Sequence, residues 1–362
     1  MHAMQCDDPP ARAGRPREWL CGGRGALQPD LETPEDRRYS RRDGADVGDD
    51  VITTVGRDGV ADLLPLGLRD KIDVLRGRPC EVAELAGGLT NRNLKVTTSE
   101  GSYVVRIFGQ GSKSLAIDRE HEYRNSTIAA SSGVGASVHQ FLADDSVLVI
   151  GYIEGRTFRD DDFSGEQVIE RVAAACRRLH DGPPFVNDFD MFAIQRGYLD
   201  LVQSRGYRLP DNYLDFAPEV ERIRRALMVR AEPTVACNND LLAGNFIDDG
   251  EQIRLIDYEY SGNNDPCFEL GNIASECHLT DDQLDHLITS YFGQRLVNKL
   301  ARARLQALMS QYGWTLWASI QEATSDIDFA FWPWGLEKYD RAVETFRGPT
   351  LAQLIEDVQR AD

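Results

Sequence analysis

The chain has 362 residues, of which 42% are hydrophobic and 27% charged, so it can bury a sizeable core. Its 59 Asp and Glu residues outnumber 40 Lys and Arg residues and give a net charge of -19, which argues against a protein that grips a nucleic-acid backbone. No apolar run reaches the roughly 20 residues that cross a bilayer, so we expect no membrane insertion. The acidic excess is compatible with a small cationic substrate or with a cofactor that brings its own metal, and net charge alone does not distinguish the two.

Residues 1–50 differ from the rest of the chain. They are rich in proline and in mixed charge runs, show little periodic hydrophobicity and contain no apolar signal-peptide core. We predict a disordered or weakly ordered tail, with a partner-binding tail or a mistaken translation start as alternatives. The seven scattered cysteines have neither disulfide nor zinc-site spacing, which favours reduced thiols and a cytoplasmic location.

A sheet-rich region is predicted for residues 51–152. Strands are expected over residues 81–86, 92–98, 102–108 and 147–150. Short turns join the first three of them, which favours an antiparallel arrangement. A helix is predicted over residues 115–131, because its composition is helical and a glycine-rich turn follows it. We interpret the glycine-flanked segment 151–155 as a connector to the next region.

Residues 153–362 are predicted to be mainly helical. Apolar residues recur on one helical face over residues 166–180. Two short apolar segments, 234–237 and 253–256, flank the intervening loop as the strands of a hairpin would. The last predicted helices cover residues 281–296, 299–325 and 335–346.

Three polar residues could together support phosphoryl transfer from ATP. That reaction needs a carboxylate beside the attacking hydroxyl and hard oxygen ligands for Mg²⁺. Asp240 would be the base, and Asn245 and Asp257 would hold the metal. Each of them could instead only shape a turn or cap a strand, but the ordered set at these spacings favours the chemistry.

Four segments resemble the choline/ethanolamine kinase family, within the larger group of aminoglycoside-phosphotransferase-like kinases. They are GGLTNRNLKV at 87–96, CNNDLLAGNF at 237–246, IDYEYSGNNDPCFELGN at 256–272 and WTLWASIQEATSDIDFAF at 314–331. The resemblance implies an α+β, two-lobed protein-kinase-like fold, with an antiparallel-sheet N-lobe over residues 51–152 and a mainly helical C-lobe over residues 153–362. ATP would bind in the cleft between the lobes.

The resemblance also implies roles at the nucleotide site. A glycine-rich turn would cover the phosphates with Gly87, Gly88, Thr90 and Asn91. Arg106 occupies the position of a strand cation that touches phosphates, with Glu122 as its ion-pair partner and Glu120 as the alternative partner. One departure is Asn238, where the family commonly has His; an amide also donates and accepts hydrogen bonds, so it can support the loop.

An ammonium substrate would be held by aromatic faces and a carboxylate. Trp314 and Trp317 share one helical face, and the resemblance places them with Tyr260 and Glu276 around an amino-alcohol headgroup. Packing into the core is the alternative for the two tryptophans.

Two further pairs of residues lie close to these segments. Asp265 and Glu269 follow the predicted metal ligand and are expected to order that loop rather than to touch substrate. The directions of Trp332 and Trp334 stay open, because a proline separates them.

We therefore predict an ATP- and Mg²⁺-dependent kinase that phosphorylates the hydroxyl of choline or ethanolamine, a precursor of phospholipid or surface-glycan headgroups. One alternative is another small-molecule hydroxyl kinase, acting on an aminoglycoside or thiamine. A second is a nucleotide-binding pseudokinase, suggested by Asn238. The His-Arg-Asp and Asp-Phe-Gly landmarks of protein kinases are missing from the sequence.

Overall fold

The computed structural model describes most of the chain. Its described residues are 53–54 (backbone only), 63–85, 88–109 and 115–361. The predicted tail, residues 1–50, and Gly87 of the predicted phosphate turn lie outside them. By their contacts, the described residues all belong to one unit, Val47–Asp362.

An antiparallel six-stranded sheet forms the first part of the described chain. Its strands are β1 (Thr53–Thr54), β2 (Glu81–Leu85), β3 (Asn91–Thr98), β4 (Gly101–Phe108), β5 (Val138–Leu142) and β6 (Val147–Gly151). They lie in the order β1-β2-β3-β4-β6-β5. Alternate residues of these strands, such as Val82, Leu94 and Val105, point into one apolar core. The predicted strands and their antiparallel pairing are confirmed, whereas β1 and β5 were not predicted.

Helices α1 (Leu66–Arg69) and α2 (Arg119–Ser131) accompany this sheet in the part of the chain that the structure describes. The second begins at Arg119 because the Asp118 carboxylate caps it, accepting hydrogen bonds from the backbone N–H of Glu120 at 2.9 Å and of His121 at 3.1 Å. The sequence-based prediction began this helix at residue 115, which is too early.

The remainder of the chain is mainly helical, as predicted. Its helices are α3 (Glu166–His180), α4 (Met191–Arg205), α5 (Ala217–Val229), α6 (Pro266–Glu276), α7 (Asp281–Phe292), α8 (Val297–Thr324), α9 (Phe331–Arg347) and α10 (Thr350–Asp357). The 28-residue helix α8 is buried on nearly every face and packs against α4, α6 and α9. It therefore forms the centre of this part and fixes the helices that carry the candidate substrate residues.

Short strands connect the helices around the predicted catalytic loop. They are β7 (Arg156–Thr157), β8 (Val235–Cys237), β9 (Phe246–Asp248), β10 (Ile253–Leu255) and β11 (Gly262–Asn264). The predicted hairpin between segments 234–237 and 253–256 is wrong: β8 pairs with β11, while β10 pairs with β9, which also pairs with β7. The predicted catalytic loop consequently lies between two separate small sheets.

None of the helices in the described part of the chain combines the length and the apolar composition that a bilayer-spanning segment needs.

Candidate active site

The loop that carries Asp240 begins directly after β8 and is held from behind by α6. The two carboxylate oxygens of Glu269, a residue with no exposed surface, accept hydrogen bonds from the backbone N–H of Asn238 at 2.9 Å and of Asn239 at 2.6 Å. Asn239 has a φ of 68°, in the left-handed region that costs a non-glycine residue energy. Glu269 therefore orders the Asp240 loop, whereas the expectation was that it orders the loop after Asp257, and its hydrogen bonds help to hold Asn239 in the left-handed conformation.

Asn238 joins the Asp240 loop to the segment that carries Asp257. Its Nδ2 donates to the carbonyl oxygens of Ile256 at 3.0 Å and of Asp257 at 2.8 Å. Its Oδ1 accepts from the backbone N–H of Asp240 at 3.1 Å. The asparagine thus supplies hydrogen bonds to both segments and supports the loop.

The three predicted chemical residues are brought together. The Asn245 Nδ2 donates to the Asp240 carbonyl at 2.7 Å, and the Asn245 carbonyl accepts from the backbone N–H of Ile256 at 3.1 Å, next to Asp257. Asp257 has a φ of 64°, so its backbone takes the same strained region as Asn239. Among the described residues, none donates a hydrogen bond to the Asp240 carboxylate or to Oδ2 of Asp257.

Arg106 connects the sheet to Asp257. Its Nη1 lies 2.8 Å from Glu122 Oε1 and 2.6 Å from Asp257 Oδ1, and the side chains of Arg106 and Glu122 are almost fully buried. The predicted contact of Arg106 with Glu122 is therefore present, whereas Glu120 pairs with Arg124 on the surface. A small cleft adjoins this cluster, and its lining includes Arg106, Glu122, Leu148, Ile150, Ile256 and Asp257.

The turn before β3 is anchored to the segment after Asp257. Glu259 accepts hydrogen bonds from Thr90 Oγ1 at 2.8 Å and from Asn91 Nδ2 at 2.8 Å, and Arg119 Nη1 lies 3.1 Å from it. A Cβ added to Gly88 would lie 2.3 Å from the Asn91 carbonyl oxygen, so only glycine allows this close approach. The side chains of Thr90 and Asn91 are consequently hydrogen-bonded to Glu259. The backbone N–H groups of this turn are therefore its available donors for a ligand.

Negative charge accumulates around the Asp240 carboxylate. Burial, followed by the negative charges of Asp257, Glu276 and Glu259, raises the pKa of Asp240 well above its usual range, while Lys338 has the opposite effect. Burial, with the charges of Asp257 and other carboxylates, likewise raises the pKa of Glu259. The cluster has more acids than bases, so it is suited to a ligand that brings positive charge.

The four predicted substrate residues lie along one connected path. The Trp317 Nε1 donates to the Tyr260 hydroxyl at 2.8 Å, and the Tyr260 and Trp314 rings meet edge to face with centroids 4.9 Å apart. Both tryptophans are buried in the largest apolar cluster, so each also serves the core. Trp334, whose direction stayed open, packs its ring 5.4 Å from that of Trp317.

Glu276 forms an ion pair at the far end of this path. Its Oε2 lies 2.5 Å from Lys338 Nζ, and the two side chains are 7% and 6% exposed. The Lys338 ammonium also lies over the Trp334 ring, 4.1 Å from its centroid. A carboxylate and an aromatic face therefore hold an ammonium group here, although it belongs to the protein itself.

Comparison with known proteins identifies the family of this chain. The choline/ethanolamine kinase family model matches residues 82–286, more than half of the chain. The chain belongs to this family. Protein LicA of Haemophilus influenzae is 27% identical over 272 residues, which cover 71% of this chain and 77% of that protein. Choline/ethanolamine kinases are phosphotransferases with an alcohol group as acceptor, and membership implies ATP as the phosphate donor.

Solved structures agree with this fold. A choline/ethanolamine kinase family protein from Mesorhizobium loti matches with a TM-score of 0.70 at 30% identity, covering 80% of this chain and 96% of its own. The choline kinase LicA from Streptococcus pneumoniae matches with a TM-score of 0.65 at 24% identity, covering 77% of this chain and 96% of its own. The kinase-like fold, with its antiparallel sheet followed by helices, is thus confirmed.

Sequence reasoning missed two residues of this kinase's candidate site, Glu259 and Lys338, and it left the direction of Trp334 open. Glu259 stands two positions after Asp257 in the segment that carried the resemblance, so its position offered a signal that was not used. Lys338 and Trp334 lie four residues apart on α9 and therefore share a helical face. No local pattern links them to Glu276, which comes from α6.

Proposed function

We propose that this choline/ethanolamine kinase transfers the γ-phosphate of ATP, with Mg²⁺, to the hydroxyl of a small amino alcohol. The observation that carries the proposal is the arrangement of Asp240, Asn245 and Asp257 on segments tied by direct hydrogen bonds. Such ties hold catalytic groups in fixed positions, which is the main requirement for phosphoryl transfer.

Asp240 is proposed as the base that takes the proton of the substrate hydroxyl. Its side chain is half-buried and accepts no hydrogen bond from any described residue, so the carboxylate is available to a hydroxyl group. Asn245 and Asp257 fit a Mg²⁺ ion, because each offers a hard oxygen that no described residue uses. When bound, the metal would neutralise charge on the phosphates.

Arg106 is proposed to contact the phosphates from the sheet side. It is held by Glu122 and Asp257, and those two carboxylates fix its guanidinium next to the cleft. The backbone of the turn with Gly87, Gly88, Thr90 and Asn91 is proposed to cover the phosphates. We further propose that residues 51–152 and 153–362 are the two lobes, since Arg106–Asp257 and Thr90–Glu259 contacts would then cross the nucleotide cleft.

Tyr260, Glu276, Trp314 and Trp317 are proposed to surround the amino-alcohol headgroup. This assignment is supported by the connected path of aromatic and acidic groups, because aromatic faces and carboxylates are the groups that bind ammonium ions. The described cysteines are free and four of the five are buried, which supports a reducing compartment, so we propose a cytoplasmic enzyme.

The test is a panel of acceptors. Purified protein with ATP and Mg²⁺ is given choline, ethanolamine, thiamine and an aminoglycoside, and ADP formation is measured. We expect ADP release with an amino alcohol and its loss, by at least about a thousandfold, in Asp240→Asn. Asp282→Asn, an exposed aspartate in the first turn of α7, is the matched control and should retain activity.

Three outcomes would contradict the proposal. Turnover of only thiamine or the aminoglycoside would assign another hydroxyl kinase. ATP binding, measured as a thermal shift, without turnover of any acceptor would assign a pseudokinase. Full activity of Asp240→Asn would remove Asp240 from the role of base.

A further inference from the structure

The two oxygens of Glu276 have different surroundings. Oε2 pairs with the ammonium of Lys338, whereas Oε1 is buried and has no hydrogen-bond partner in the described structure. The side chain as a whole is 7% exposed. Buried carboxylate oxygens normally accept hydrogen bonds, because an unpaired one loses its hydration without compensation. The unpaired Oε1 therefore indicates a missing donor.

Lys338 already occupies two groups that could otherwise recognise a cation, Oε2 of Glu276 and the Trp334 face. Its ammonium neutralises the charge of Glu276 and occupies a face of the Trp334 ring at 4.1 Å. At Glu276, an incoming cation thus meets a carboxylate whose charge is already paired and a Trp334 face that is already covered. What Glu276 still offers is one hydrogen-bond acceptor atom.

The Glu276–Lys338 pair is linked by direct contacts to the segment of the proposed metal ligand Asp257. The Lys338 ammonium lies over the Trp334 ring, Trp334 packs against Trp317, and Trp317 donates a hydrogen bond to Tyr260, three residues after Asp257. An amino alcohol places its nitrogen two carbons from its hydroxyl oxygen. A group that touches that nitrogen must therefore lie close to the segments that carry the proposed base and metal ligands, and this path leads from Glu276 to one of them.

We propose that Oε1 of Glu276 accepts a hydrogen bond from an N–H of the acceptor's ammonium group, so that this kinase prefers amino alcohols that retain an N–H over quaternary ones. The inference rests on the proposed function and selects among its substrates. A quaternary ammonium has no N–H, so it leaves Oε1 unpaired, and its methyl groups find the Trp334 face occupied by Lys338.

The wild-type protein tests the proposal with a methylation series. The acceptors are ethanolamine, N-methylethanolamine, N,N-dimethylethanolamine and choline, and kcat/KM is measured for each with ATP and Mg²⁺. The first three retain an N–H and the fourth does not, while size increases evenly. Because a hydrogen bond to a charged group is replaced by an unpaired oxygen, we expect a drop of about 10- to 100-fold confined to the last methyl group.

The outcomes separate this inference from the proposed function. A flat series, a gradual decline with size, or the highest kcat/KM with choline would overturn the inference and leave the amino-alcohol kinase standing. No turnover of any of the four would overturn the proposed function, and the inference with it.

A substitution at Lys338 tests the second half of the argument. Lys338→Met removes the ammonium from Glu276 and from the Trp334 face, so the ratio of kcat/KM for N,N-dimethylethanolamine over choline should fall by about tenfold. A general loss of folded protein would lower both values together and leave the ratio unchanged. The matched control is Lys299→Met, since Lys299 also pairs with a glutamate, Glu232, and lies 5.6 Å from an aromatic ring centroid.

The control should keep the wild-type ratio. An unchanged ratio in Lys338→Met, with activity retained, would remove Lys338 from the selection of substrate. Should Lys338→Met fail to fold, the methylation series on the wild-type protein still decides whether the N–H is required.

Discussion

Replacement of Asn238 by alanine would separate the two segments that carry the proposed catalytic groups. The side chain is fully buried and forms three hydrogen bonds, to the carbonyls of Ile256 and Asp257 and from the backbone N–H of Asp240. Each contributes about 1 kcal/mol net, so Asn238→Ala should lower the free energy of unfolding by about 3 kcal/mol. The loss should also displace Asp240 from Asp257 and lower kcat by about 10- to 100-fold.

The chain contains a matched control for this substitution. Asn263, on β11, also donates from Nδ2 to two backbone carbonyls, of Phe185 at 2.9 Å and of Asn187 at 3.0 Å, and accepts from the Phe185 N–H at 2.8 Å. Its bonds fix the connection between α3 and α4 and reach none of the proposed catalytic groups. Asn263→Ala should therefore lose similar stability while its kcat stays within about threefold of wild type.

Urea unfolding at 25 °C and steady-state ADP release, both on protein shown to be folded, measure the two quantities. The reasoning requires that stability falls in both variants and kcat falls only in Asn238→Ala. An Asn238→Ala protein with wild-type kcat would refute it, because the hydrogen bonds would then be shown not to position Asp240. Equal losses of kcat in the two variants would refute it as well.

Two further predictions concern the nucleotide turn and the surface. Gly88→Ala forces a shift of the turn, because the new Cβ would lie 2.3 Å from the Asn91 carbonyl oxygen. We expect this variant to bind ATP about tenfold more weakly, measured by titration calorimetry. Unchanged ATP binding would exclude this turn from the nucleotide site. Hydrogen bonds from Arg171 lower the pKa of Asp248 to about 2, so the pair stabilises the fold above the ordinary pKa near 4 and loses this effect as the pH falls toward 2. Arg171→Met should cost about 1 kcal/mol in urea unfolding at pH 7, and a difference from wild type that does not shrink between pH 5 and pH 3 would contradict the assignment.

The sheet could be predicted from sequence because its strands alternate apolar and polar residues and are joined by short turns. Strand β5, Val138–Leu142, was missed since His139 and Gln140 interrupt the apolar pattern. The pairing of β8 was predicted wrongly for a different reason. Its partner β11, Gly262–Asn264, is a glycine followed by two asparagines, and nothing in that composition indicates a strand.

The candidate site was predictable where short segments carry several of its residues, as around Asp240 and Asp257. Contacts between segments that are distant in the sequence could not be predicted. Glu276 and Lys338 come from different helices, and their pairing depends on how α6 and α9 pack against α8. Because Lys338 pairs with one oxygen of Glu276, only the other oxygen can face a ligand. The sequence does not reveal such a pairing.

The pairing of β8 with β11 has a consequence for how the site assembles. Cys237 lies opposite Gly262, so this pair closes one loop, residues 238–261, that contains the proposed base and both proposed metal ligands. The entropy cost of closing a loop rises only slowly with its length, and here that cost is met once for all three groups. We expect these groups to become ordered in a single cooperative step, so that the backbone amides of Asn239 and Asn245 exchange with deuterium at closely similar rates.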